Sequence, residues 1–136
     1  FFVTHYTTTL SPGELVTATT WPIPASGEGF AFEELALRAG DYALSMVAVA
    51  LRRRDGKATD VRVVAGAVTD RPTRLTDAEA ALTNSPVDDA AIVAAMDAAR
   101  AAVEPNATIH ADAEYLRHVT GVLVARAVRR AWERTA

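Results

Sequence analysis

The 136-residue sequence contains no cysteine. That absence excludes a disulfide framework, an iron–sulfur cluster and a thiolate zinc site within the chain. It also suits a reducing compartment, so a cytoplasmic setting is expected. Histidine is scarce: His5, His110 and His118 lie far apart, and none shares a metal-ligand spacing such as H-x-x-x-H. No G-x-G-x-x-G or Walker A sequence is present, and Ser45 and Ser85 lack the glycine context of a nucleophile elbow. No stretch reaches about eighteen apolar residues without a charge, so no transmembrane helix is expected. The first residues, Phe1-Phe2-Val3, carry neither a basic n-region nor an initiator methionine. This predicts a processed or truncated chain rather than a signal peptide. An excess of positive charge is missing too: the formal net charge of −3 argues against nucleic acid as the main partner.

Half of the residues are hydrophobic and 23% are charged, the balance of a globular domain. A chain of this length suggests one domain, able to bury roughly two thirds of its unfolded surface. Residues 1–13 are rich in threonine and aromatics and end in the turn signal Ser11-Pro12-Gly13. Glu14–Trp21 is β-prone and is closed by Pro22 and Pro24, with a loop over Ala25–Gly29 and a short strand or irregular segment over Phe30–Leu37. Two β-rich runs, Tyr42–Leu51 and Val61–Val68, flank Asp55-Gly56, a strong hairpin signal. Their small, apolar composition predicts helices over one face. Thr76-x-x-Glu79 resembles a capping box opening a helix to about Leu82. Asp88 and Asp89 start a second helix, from Ala90 to about Val103, that must stop before Pro105. A third runs from about Ala111 to Arg134 with apolar residues at spacings of three and four. Strands first and helices second is the order of an α+β domain in two layers.

Several clusters invite a chemical reading and have a plainer one. Gly66 in a strand permits close packing. Asn106-Ala107-Thr108 matches a glycosylation sequon but follows no secretory signal. Arg52–Arg54 read as a solvated strand edge. Arg126, Arg129, Arg130 and Arg134 oppose the negative end of the last helix. Glu33, Glu34 and Asp41, with Arg38 among them, could do acid–base work, yet no nucleophile or electrophilic partner accompanies them. From these residues alone the chain is an α+β module without a self-contained active site.

Four motifs, taken in order, resemble those of the flavin subunits of molybdenum hydroxylases, the carbon monoxide dehydrogenase and xanthine dehydrogenase family. They are Phe1-Phe2 with Thr7-Thr8-Thr9-Leu10-Ser11-Pro12-Gly13-Glu14-Leu15; Phe30-Ala31-Phe32-Glu33-Glu34 with Arg38-Ala39-Gly40-Asp41-Tyr42-Ala43; Gly66-Ala67-Val68-Thr69-Asp70-Arg71-Pro72; and Ala113-Glu114-Tyr115-Leu116-Arg117-His118 with Val122-Leu123-Val124. Thr69 stands where the family usually has alanine, and Leu116 where it often has arginine.

The resemblance implies an antiparallel three- to four-stranded sheet packed against about three helices. It assigns residues 1–28 to the end of the FAD-binding region and 29–136 to the flavoprotein C-terminal domain. It implies a complex in which one partner subunit carries molybdopterin and another carries two [2Fe–2S] clusters. Electrons would pass from the clusters through FAD to an acceptor such as NAD or a quinone. The glycine-rich stretches that hold the FAD pyrophosphate lie upstream in the family and are absent from this sequence. By position, Val16 and Glu33 match residues that touch the flavin, and Asp41 lies in the Glu34–Leu44 loop beside it. Xanthine dehydrogenases carry lysine at the Glu33 position, so the charge is reversed here. Glu33, Arg38 and Asp41 would then tune the flavin potential electrostatically. The competing expectation is a non-enzymatic assembly or dimerisation module of the same fold. A small-molecule hydrolase would need a nucleophile–base pair that the sequence does not offer.

Overall fold

The computed structural model describes residues 1–135. A two-stranded ribbon, β1 (Phe2–Thr4) and β2 (Thr7–Thr8), opens the chain, and a long extended stretch leads from it into the body of the domain. That body is a four-stranded antiparallel sheet in sequence order: β3 (Glu28–Ala36), β4 (Ala43–Arg54), β5 (Lys57–Gly66) and β6 (Thr73–Arg74). Three helices follow: α1 (Thr76–Leu82), α2 (Asp89–Ala102) and α3 (Ala113–Glu133). The α+β architecture expected from the sequence is the one observed. The Glu14–Trp21 strand is not: these residues form no strand. β-Branched composition favours extended backbone, but a strand also needs a neighbour to take its hydrogen bonds, and the described chain supplies none. The β1–β2 ribbon lies in residues read only as a turn-ended segment.

The β4–β5 hairpin turns at Asp55-Gly56, both with positive φ (50° and 74°), as a two-residue connection requires. Five residues on, Asp60 also takes a positive φ of 50°, and the register slips between Ala50 and Arg52. This bulge changes the phase of β5. Ala58 points inward before it, and Val61, Val63 and Ala65 point inward after it. They meet Val47, Val49 and Leu51 of β4 on the same face. α3 lies across that face with Leu116, Leu123, Val124, Ala127, Val128 and Ala131 buried. Each large side chain removed from water here contributes about 1.5–3 kcal/mol. The helix comes very close to β3: a Cβ on Gly29 would stand 1.9 Å from the Ala131 carbonyl oxygen. Only glycine fits beneath α3 at that point.

The helix ends show which local signals survived folding. Asp88 and Asp112 cap α2 and α3, each accepting a backbone N–H from the third residue on, at 2.9 and 2.7 Å. The capping box at α1 does not form: the N-cap is Leu75 and no side chain caps it. Glu79 is drawn elsewhere because β6 ends too soon. The Leu75 N–H still pairs with the Val63 carbonyl at 2.8 Å, but the Leu75 carbonyl turns to accept the Glu79 N–H and begin α1. The Val63 N–H would be stranded in the core, and the Glu79 carboxylate accepts it at 2.9 Å. Arg74 then closes on the same carboxylate through Nε and Nη2.

The arginines are also more engaged than their composition suggested. Arg52 is half-buried and donates to Glu28 at 2.8 Å, with Asp60 at 3.7 Å. Arg53 stacks over Trp132 at 4.7 Å. Arg52 is thus only partly solvated, Arg53 stays exposed though stacked, and β4 is an interior strand rather than an edge. Arg134 donates to the Phe30 carbonyl at 2.7 Å, Arg130 to Glu33, and Arg129 to Asp89 at 3.0 Å. α3 is therefore tied to the elements beneath it by side chains that the sequence placed only at a helix end.

Candidate functional site

The structure sets Val16, Glu33 and Asp41 in three different environments. Val16 is exposed on the extended lead-in. Asp41 is exposed in the β3–β4 connection, where its N–H donates to the Arg38 carbonyl at 3.1 Å and its carboxylate accepts the Tyr42 N–H at 2.9 Å. Gly40, at φ 82°, allows that turn. Glu33 sits in β3 on the helix-facing side, where Arg130 holds it. Glu34, its neighbour in the strand, faces the other way, because side chains alternate along a strand. The acidic group read from the sequence is thus divided between two faces and a loop. Two charged side chains without a shared acceptor or cavity do not make an acid–base pair.

The other chemically suggestive residues are occupied in structural roles. Ser45 is fully buried and bonded to Thr120 at 2.9 Å. Thr120 donates its own proton to the Leu116 carbonyl at 2.8 Å, so the Ser45 hydroxyl is the donor of the pair. A serine so placed joins β4 to α3 and is no nucleophile. The histidines stay apart: His5 meets Asp70 at 3.3 Å, while His118 Nδ1 meets Arg100 at 2.6 Å. Gly66 does pack closely, since a Cβ there would touch the end of the Met46 side chain at 2.6 Å.

Sequence reasoning missed the main concavities. One, of about 630 Å³, lies between the N-terminal ribbon, the start of β4 and the β5–β6 connection; it is lined by His5, Leu44, Thr69, Asp70, Arg71 and Asn106, among others. It brings Thr69-Asp70-Arg71 face to face with Val3 and His5, a proximity that no local signal encodes. A second, of about 640 Å³, lies between Trp21–Pro24 and the helix-free face of the sheet. A flavin dinucleotide would need more than these residues: neither cavity is lined by Val16, Glu33 or Asp41. The diphosphate needs several convergent backbone N–H groups, and the described residues build no glycine-rich cradle of that kind. The chain's own residues do not fit the whole cofactor.

Comparison with known proteins places this geometry. Residues 30–131 match the model of the CO dehydrogenase flavoprotein C-terminal domain. The chain is 35% identical over 126 residues to the carbon monoxide dehydrogenase medium chain of Afipia carboxidovorans, covering 93% of this chain and 44% of that one. It is 34% identical over 134 residues to the nicotine 6-hydroxylase medium subunit of Paenarthrobacter nicotinovorans, covering 98% and 47%. In three dimensions it superposes on a chain of carbon monoxide dehydrogenase from Hydrogenophaga pseudoflava with a TM-score of 0.91 at 35% identity, over 100% of this chain and 47% of that one. The chain spans less than half the length of the curated relatives it matches.

Proposed function

Because this chain belongs to the CO dehydrogenase flavoprotein C-terminal domain family, we propose that it acts as the C-terminal domain of the FAD-carrying medium subunit of a molybdenum hydroxylase. The observation that supports this reading is its superposition over its whole length on part of a carbon monoxide dehydrogenase chain. Residues 1–28 then complete the FAD-binding region and residues 29–136 form the domain behind it. The subunit's partners are a molybdopterin subunit and a subunit with [2Fe–2S] clusters, and its task is to pass their electrons to an acceptor. Substrate choice belongs to the molybdopterin subunit; relatives of similar identity are named for carbon monoxide and for nicotine.

Within that reading the residues of this chain supply an edge and a frame. Val16 offers an apolar contact and Asp41 a fixed negative charge near the flavin ring. Glu33 acts at one remove, because Arg130 neutralises it. The purified chain should therefore carry no stoichiometric flavin, and flavin should be retained once the missing half of a medium chain is supplied. Visible flavin absorbance after gel filtration measures this directly. Tight stoichiometric binding of FAD by the chain alone would overturn the incomplete-site argument. Genes for a molybdopterin subunit and a ferredoxin-like subunit beside the coding sequence are the expected genomic context.

A further inference from the structure

The helices cover only one face of the sheet. On the other, β3 presents Phe30 and Phe32, 44% and 53% exposed, beside Ala48, Ala50 and Val64. The lead-in Trp21-Pro22-Ile23-Pro24 borders the same face and shares a cleft with Phe30 and Arg62. Trp21 is 81% exposed. Of the sixteen large apolar side chains exposed among the described residues, nine lie within residues 1–23. Covering Phe30, Phe32 and Trp21 would remove on the order of 400 Å² from water. That is about half of the ~800 Å² a standard interface buries on each partner. The largest apolar patch on a monomer is typically of this order and is often functional. Pairing along the strand edge is restricted, because Arg134 already occupies the Phe30 carbonyl on the free side of β3.

We propose that the helix-free sheet face, with Trp21–Pro24 beside it, is the docking surface for the other half of a medium-chain subunit. The proposal rests on the medium-subunit reading above and adds which residues form the seam. Length and position select this occupant: the relatives are more than twice as long as the part matched here, and the apolar lead-in runs along the same face. The partner surface should be apolar opposite Phe30 and Phe32 and carry a carboxylate opposite Arg62, for which no ion pair forms among the described residues.

The test compares the chain alone with a polypeptide in which the unmatched part of the Afipia carboxidovorans medium chain is joined ahead of it. Both carry Trp132→Phe, which leaves Trp21 as the sole indole of this chain. Iodide quenching of Trp21, excited selectively or through a labelled indole, should be unrestricted in the chain alone and fall several-fold in the joined polypeptide. Amide exchange over Phe30–Phe32 should slow in parallel. Phe32→Asp should restore quenching in the joined polypeptide and leave the melting temperature of the isolated chain unchanged. Equal quenching in both polypeptides overturns the proposal. So does self-association of the isolated chain that Phe32→Asp abolishes, which makes a second copy the occupant. Unfolding of the isolated chain by Phe32→Asp overturns it as well, since the face would then be core. If the joined polypeptide precipitates, the medium-chain half added in trans gives the same quenching readout. Bound flavin separates the two levels: flavin retained with Trp21 open refutes only the seam, whereas a folded joined polypeptide without flavin refutes the medium-subunit reading.

Discussion

Replacing Glu79 by alanine should be among the most damaging single changes outside the hydrophobic core. Glu79 is only 8% exposed, and its carboxylate is the acceptor for the buried Val63 N–H. Without it that N–H has no partner, and water reaches it poorly, at a cost of about 1–3 kcal/mol. Arg74 would lose its partner too, but its side chain is half-exposed and can rehydrate, adding at most about 1 kcal/mol. The expected loss is about 2–4 kcal/mol, a fall in melting temperature of about 10 °C for a domain of this size. Glu79→Gln keeps an oxygen for Val63 and gives up only the charge, so it should cost about 1 kcal/mol. Burial pushes the Glu79 carboxyl upward, but the Arg74 hydrogen bond, the Val63 N–H and the charges of Arg74 and Arg62 together outweigh it and hold the carboxyl below its usual range. A carboxyl lowered by folding stabilises the fold above its unfolded pKa of about 4.3, and the gain disappears as pH falls through the lower folded value. Urea titrations of the three proteins across that range measure this. The gap between wild type and Glu79→Gln should be constant at neutral pH and close in acid. An alanine variant within about 0.5 kcal/mol of wild type, or a gap that widens in acid, would refute the reasoning.

Two glycines should respond in opposite ways. Gly29→Ala forces a methyl against the α3 backbone and should cost at least the usual ~1–3 kcal/mol of overpacking, whereas Gly66→Ala displaces only the flexible tip of Met46 and should stay below about 1 kcal/mol; thermal melts of the pair suffice. Glu33→Lys places two cations between β3 and α3 and should destabilise by about 0.5–1 kcal/mol, with Arg130→Glu in the same protein recovering most of it, as a double-mutant cycle would show.

The sequence revealed those parts of the fold that depend on neighbouring residues. Asp55-Gly56 specifies its turn through the φ values it tolerates, and Asp88 caps a helix three residues away. The β5 bulge was hidden, because nothing near Asp60 distinguishes a left-handed residue from an exposed loop acid. Glu79 was misread for a clearer reason: the capping-box spacing is local, while its real partners, Val63 and Arg74, are brought there by the early end of β6. Glu33 and Arg130 stand 97 positions apart, so no spacing rule could pair them. For the candidate site, the resemblance singled out Val16, Glu33 and Asp41, but which way each side chain points depended on strand parity and on α3. Val16 lies on a stretch whose composition favours a strand that has no neighbour among the described residues.

The tie between β3 and α3 also sets a timetable. Glu33 leaves the ribosome 97 residues before Arg130. At about 5–20 residues per second, that is roughly 5–20 s of synthesis. During this interval the β3–β4–β5 meander can form from close contacts and α1 can cover β5, but the inner face of β3 and β4, with Ala31, Val47 and Val49, still lacks α3. The domain must therefore pass through a half-built, sticky stage on every round of translation, and a stall late in the message would release a sheet that is apolar on both sides.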